Sequence, residues 1–253
     1  MKEIFSVAFL TFKQAVRSRL FTGVIFFFVF YAFFCTILGE LSPGETQKVM
    51  RSAALAGIEI TAVGLIVFTI VFNFYREKES HMLDIYLSNF KRSDYVTGKI
   101  LSYIFISLFY IILSGLCCWL LLSLYGAFSP AFLAALYSIF LKVSIVVSFC
   151  LIFTSFFSSP IIALLITFFL YVSAQVGRAA LDAVNLYGRK LQQTVVLLFY
   201  SLLPNMDKLD INNLAAYGKV PDFVFFFQIT FYSLLYISLL WLINILLWQK
   251  KEY

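Results

Sequence analysis

Charge is what this chain has least of. Only 13% of its 253 residues are Asp, Glu, Lys or Arg, where a soluble domain carries about 25%. Hydrophobic residues fill 62% of the chain, more than a soluble fold of this size could hide from water. A soluble enzyme, a nucleic-acid-binding domain and a disordered tail are all excluded. Histidine is nearly absent too. With His81 alone, no H-E-x-x-H metal helix and no His-based triad across the membrane can be assembled, and G-x-S-x-G does not occur. The four cysteines (Cys35, Cys117, Cys118 and Cys150) lie inside apolar runs. They read as small buried hydrophobes rather than a disulfide framework or a metal site.

What is present is a set of long apolar runs. Crossing about 30 Å of hydrocarbon takes about 20 residues at 1.5 Å each. Six segments meet or approach that length: 20–38, 53–75, 100–124, 131–157, 160–177 and 223–248. The runs are continuous rather than alternating, which excludes a strand barrel. The expected fold is an all-α integral membrane protein with six transmembrane helices, forming one domain over 1–253 with no low-complexity tract or Gly/Ser linker. Ser42-Pro43-Gly44-Glu45 reads as a capping box opening the second helix, and Ser129-Pro130 and Ser159-Pro160 as cap-then-Pro starts of the fourth and fifth. No cleavable signal peptide is expected, since the first run begins near Leu20 behind a basic stretch with no small-residue cleavage site.

The +6 net charge reports orientation rather than a nucleic-acid partner. With the N-terminus inside, eleven Lys and Arg residues flank the inner side and seven the outer. Both termini are therefore expected in the cytoplasm. Residues 3–19 read as an amphipathic interfacial helix against membrane lipid, with Ile4, Phe5, Ala8, Phe9, Phe12 and Val16 on one stripe and Lys13, Gln14 and Arg17 opposite.

The inner loop between the second and third spans is long, about 24 residues, and carries a helical face of its own. Met82, Leu83, Tyr86, Leu87 and Phe90 fall on one side of that helix, among charges of both signs that include Glu77, Glu79 and Asp84. Mixed charge suits docking to a protein better than pure lipid adhesion. Ser93 is placed to cap the third span.

Three stretches together resemble the permeases of ATP-binding-cassette exporters of type 2. They are the basic helix ending in Arg17-Ser18-Arg19-Leu20-Phe21, the inner loop with Leu83-Asp84-Ile85-Tyr86-Leu87 and Ser93-Asp94-Tyr95-Val96-Thr97-Gly98-Lys99, and the outer stretch Leu203-Pro204-Asn205-Met206-Asp207-Lys208-Leu209-Asp210. The resemblance covers essentially the whole chain. It implies a cytoplasmic coupling helix at about 77–91, using Glu77, Glu79, Met82, Leu83, Asp84, Tyr86, Leu87 and Phe90, and re-entrant outer helices between spans five and six. It also implies two copies of a cytoplasmic ATPase subunit, a second permease subunit (identical or not) and a bacterial inner-membrane location. The chain has no phosphate-binding loop: Gly98-Lys99 and Gly218-Lys219 lack the upstream Gly and the following Ser/Thr. No cofactor is expected on this chain, which is then not itself an enzyme; ATP and Mg would sit in the partner. A secondary carrier or channel, or a non-transporting scaffold, are the alternatives.

Two intramembrane charges stand out. Lys142 lies eleven residues into the fourth run, roughly 16 Å from its outer end and beyond snorkelling reach. Such a charge must face protein, water or an acid, and Glu59 of the second run is the only comparable acid. Lys142 and Glu59 are read either as a gate or anionic-substrate contact, or as a buried pair or a shifted span that merely relieves the charge. Tyr103, Ser107, Tyr110 and Ser114, with Ser144, Ser148 and Ser155, read as packing seams. Asp207 and Asp210 read as turn caps after Pro204.

Overall fold

The computed structural model describes residues 2–42, 44–89, 91–187, 193–194, 196–198, 200 and 203–250. The elements run α1 (Lys2–Val16), α2 (Arg19–Glu40), α3 (Thr46–Glu79), α4 (Met82–Asn89), α5 (Arg92–Leu124), α6 (Pro130–Phe156) and α7 (Pro160–Tyr187). A short 3₁₀ turn (Met206–Leu209), α8 (Asn212–Ala216) and α9 (Phe223–Lys250) follow. No strand occurs among the described residues. Six helices (α2, α3, α5, α6, α7 and α9) are long and apolar enough to cross a membrane. This is the architecture of a multi-pass membrane protein.

Several boundaries differ from the sequence reading. The second and third spans are the apolar middles of longer helices of 34 and 33 residues, roughly 50 Å each and well beyond the hydrocarbon. The fifth run does not stop at 177 but continues unbroken to Tyr187, so the start of the expected re-entrant hairpin is the end of α7. Most of the remainder of that stretch, Leu191, Val195 and Phe199 included, lies outside the described residues, as does Phe90. Ser42 is not a helix cap: α3 begins at Thr46 behind Gly44, whose φ of 93° belongs to a turn, and Glu45 makes no side-chain cap. Ser93 is likewise inside α5, which begins at Arg92. Ser129 does cap α6, accepting from the Ala131 N–H at 3.4 Å with Pro130 in the first turn.

The helices sort into a centre and a shell. The apolar windows of α3 and α6 are each 67% buried, whereas those of α7 and α9 are 22% buried and face outward with Phe and Leu. Hydroxyl groups stitch the layers: Tyr110 of α5 donates to Thr61 of α3 at 2.8 Å, and Tyr75 of α3 donates to the Phe157 carbonyl at 2.7 Å. Trp241 of α9 donates to Thr97 of α5 at 2.9 Å. Ser107, Ser114, Ser144, Ser148 and Ser155 are buried, and each hydroxyl returns to a carbonyl of its own helix, so the seams are packing surfaces.

Helix α1 packs along α5 by a row of small residues beside its apolar stripe, with Phe12 of the stripe meeting Phe109 edge-on at 5.9 Å. Val7, Thr11 and Ala15, one turn apart, are buried, whereas Phe5 and Phe9 point outward at 69% and 68% exposure. Small residues win because the backbones approach closely: a β-carbon on Gly98 would lie 3.0 Å from both the Ile4 carbonyl oxygen and Val7. Ser102 completes the contact by donating to the Ala8 carbonyl at 3.0 Å. Gly98→Val should push α1 off α5 at a cost of about 1–3 kcal/mol. The check is a lower apparent Tm in detergent with faster proteolysis within 2–16; an unchanged Tm would contradict this packing.

Candidate functional site

Burying an ammonium is tolerable only where acceptors surround it. Lys142 of α6 has no exposed surface. Its Nζ donates to Glu59 Oε1 of α3 at 2.9 Å and lies 3.5 Å from Asp210 Oδ2, in the stretch between α7 and α9. Other donors converge on the same carboxylates. The Tyr171 hydroxyl of α7 donates to Glu59 Oε1 at 2.9 Å and Asn212 Nδ2 to Oε2 at 2.8 Å. Gln175, one turn beyond Tyr171, donates to Asp210 Oδ2 at 3.1 Å, and the Asn212 N–H to Oδ1 at 2.9 Å. Each carboxylate therefore faces three donors, and every oxygen of the two has a partner. Four parts of the chain (α3, α6, α7 and residues 210–212) meet at one lysine.

The stretch 206–216 is seated there by more than charge. Met206, Leu209 and Ile211 are buried, Ser138 donates to the Leu209 carbonyl, and Arg51 donates to the Ala216 carbonyl at 3.3 Å. Asp207 accepts from the Arg178 N–H at 3.2 Å, while burial pushes its carboxyl above the usual range. A cavity of about 490 Å³, mostly apolar in its walls (Leu214, Phe225 and Ile229 among them) but carrying Arg178, Asp207 and Lys208, opens beside Asp210.

A second charged cluster lies at the other end of α3. Glu77 is 2% exposed; Lys99 of α5 donates to its Oε1 at 2.5 Å and the Tyr95 hydroxyl to its Oε2 at 2.8 Å. The Lys99 ammonium also sits 5.5 Å from the Tyr95 ring centre, and that ring packs against Tyr86 of α4 at 5.9 Å and Trp248 of α9 at 5.3 Å. Two residues past Glu79 the chain breaks at His81, whose φ of 54° is unusual for a residue other than glycine, and α4 begins. Within α4 Leu83 is buried and Met82 is 41% exposed. Burial, aided by the Glu77 carboxylate, pushes the Tyr86 phenol above its ordinary value.

No family model matches the chain, and no curated protein matches it. Its reading therefore rests on its own geometry.

The residues singled out in the inner loop divide. Glu77 and Glu79 belong to the last turn of α3, not to a helix over 77–91, and Glu77 is committed to Lys99 inside the bundle. Met82, Leu83 and Tyr86 stand on α4, together with the backbones of Asp84 and Leu87, whose side chains lie outside the described residues. Lys142 and Glu59 do meet, as one of the two sequence readings required. Asp210 is more than a turn cap, because it bonds the Asn212 N–H and also lies beside Lys142. Tyr171 and Gln175 escaped notice, although two polar residues a helical turn apart in an apolar run were a usable signal. Among the described residues, no three His, Cys, Asp or Glu side chains are grouped to hold a metal ion.

Lys142→Met leaves Glu59 and Asp210 without their cation and should cost about 3–5 kcal/mol in stability. Adding Glu59→Gln should restore part of that loss, with a coupling of about 0.5–3 kcal/mol in a double-mutant cycle of thermal unfolding in detergent. Strictly additive effects would show that the two residues act separately.

Proposed function

We propose that the chain is the membrane-spanning permease subunit of an ATP-binding-cassette transporter of the type 2 exporter kind. The observation that carries this reading is the corner made by α3, α4 and α5. A helix long enough to leave the hydrocarbon ends in a buried Glu77–Lys99 pair, and a short, partly exposed helix hangs directly from it. A force applied to α4 would pass through Leu83 and Tyr86 into the Tyr95–Glu77–Lys99 cluster, and from there into two spans at once.

In this reading α4 is the coupling helix, the α1 end of the bundle faces the cytoplasm, and α1 lies at the membrane interface. Residues 206–216 form the outer segment beside the pathway. ATP and Mg are held by two copies of a separate ATPase, as the missing phosphate loop requires, and a second permease subunit completes the pathway. The chain sits in the plasma membrane, in a bacterium the inner membrane, with both termini cytoplasmic. The resemblance of the N-terminal, inner-loop and outer stretches to that family supports the same assignment.

Purification of the intact chain from its native membrane should bring down an ATPase carrying a phosphate loop at comparable stoichiometry. Met82→Asp, on the exposed side of α4, should cut that yield at least about tenfold, the effect of losing roughly 1.4 kcal/mol, while leaving the apparent Tm unchanged. Glu77→Lys should instead lower the Tm, because its partner Lys99 would then face a like charge. Wild-type chain free of any ATPase would sink the reading.

A further inference from the structure

The end of the bundle that carries α1 and α4 holds a cavity of about 660 Å³, bounded by the α1–α2 corner, the last turns of α3 and the start of α7. Three arginines, Arg17, Arg19 and Arg76, line it against one acid, Glu79. No carboxylate among the described residues pairs with any of the three. Two helix starts border the same space, α2 at Arg19 and α7 at Pro160, and each contributes the partial positive charge of its first turn. Asn73, only 5% exposed, accepts from Arg76 Nη2 at 3.3 Å and so steadies one guanidinium at the cavity wall. Fixed positive charge and planar forks make a place for a compact oxyanion.

An apolar path leaves the same cavity. Phe72, on its wall and half exposed, stacks on Phe68 with ring centres 6.0 Å apart and planes 10° from parallel. Phe68 in turn meets Phe168 of α7 at 6.0 Å. Both steps lead from the end of the bundle toward its apolar middle, between α3 and α7.

We propose that this cavity binds the phosphate of an anionic amphiphile, with the guanidinium groups on the headgroup and the Phe72–Phe68–Phe168 path along a chain. Free inorganic phosphate shares the headgroup chemistry but has nothing to place on the rings. The site does not depend on the transporter reading, because no ATPase or partner subunit enters its geometry.

Native mass spectrometry of the full chain in detergent tests this, with phosphatidylglycerol, phosphatidylcholine and inorganic phosphate as probes. Phosphatidylglycerol should be retained in preference to phosphatidylcholine. Arg17→Gln/Arg19→Gln/Arg76→Gln should weaken its binding on the order of tenfold or more, given the several-fold contribution of each basic side chain near a lipid headgroup. Each single substitution should give a partial loss, so the result does not hang on one heavily altered chain. Lys219→Gln, in the segment that follows α8, should leave retention unchanged. Phe72→Ala should weaken the lipid but not inorganic phosphate. Equal retention of the two lipids, or a triple variant that binds like wild type, would overturn the site. Inorganic phosphate binding as tightly as the lipid, indifferent to Phe72→Ala, would overturn the amphiphile in favour of a free anion.

Discussion

An ammonium in the middle of a membrane-spanning helix costs about 2.5–3.5 kcal/mol on insertion scales, and that cost dictates what stands around Lys142. Glu59 must come from α3, which sets the register of the two most buried helices against each other. The second carboxylate comes from outside the spans and pulls residues 210–212 down among α3, α6 and α7. Hydrophobic burial alone could not enforce this, because lipid tails solvate Leu and Phe about as well as a neighbouring helix does. In a chain this apolar, specificity comes from the few groups that lipid will not accept.

Helix α3 carries both solutions. Glu59 and Glu77 stand five turns apart on it, roughly 27 Å, each facing a lysine from a different helix. Phe and Leu on the shell helices can slide against lipid at little cost; the two lysines cannot. The ion pairs therefore fix the register of α3, α5 and α6, to which Tyr171 of α7 and Trp241 of α9 are tied by hydrogen bonds. The arginine-lined cavity lies at one end of these helices, where α3 leaves the apolar region and its exposed rings begin.

Much of this was legible in the amino-acid order. Six apolar runs gave six helices, and Ser129-Pro130 gave a true cap, because hydrophobic length and local capping are properties of contiguous residues. The Lys142–Glu59 meeting was legible because each is nearly the only charge in its run. Helix ends were read less well. Ser42 and Ser93 have cap chemistry, but Gly44 breaks the backbone in one case and Lys91 already precedes the helix in the other. The small-residue row by which α1 packs on α5 was not legible, because it depends on the bare Gly98 of a helix ninety residues away. Glu77 looked like a surface charge among surface charges; only the fold brings Lys99 and Tyr95 to it. Asp210 had no periodicity to mark it, since it lies on irregular chain between two helical turns.

Lys142 has two counter-ions, and one of them is expendable. Were Asp210 to withdraw, Glu59 would remain at 2.9 Å and the ammonium would never stand bare. The stretch between α7 and α9 is thus held at two kinds of place, by Asp210 and Asn212 at the charge cluster and by Met206, Leu209 and Ile211, buried, with Ser138 on the Leu209 carbonyl. Because the ammonium has no exposed surface, salt in the surrounding water screens the charged attachment only weakly.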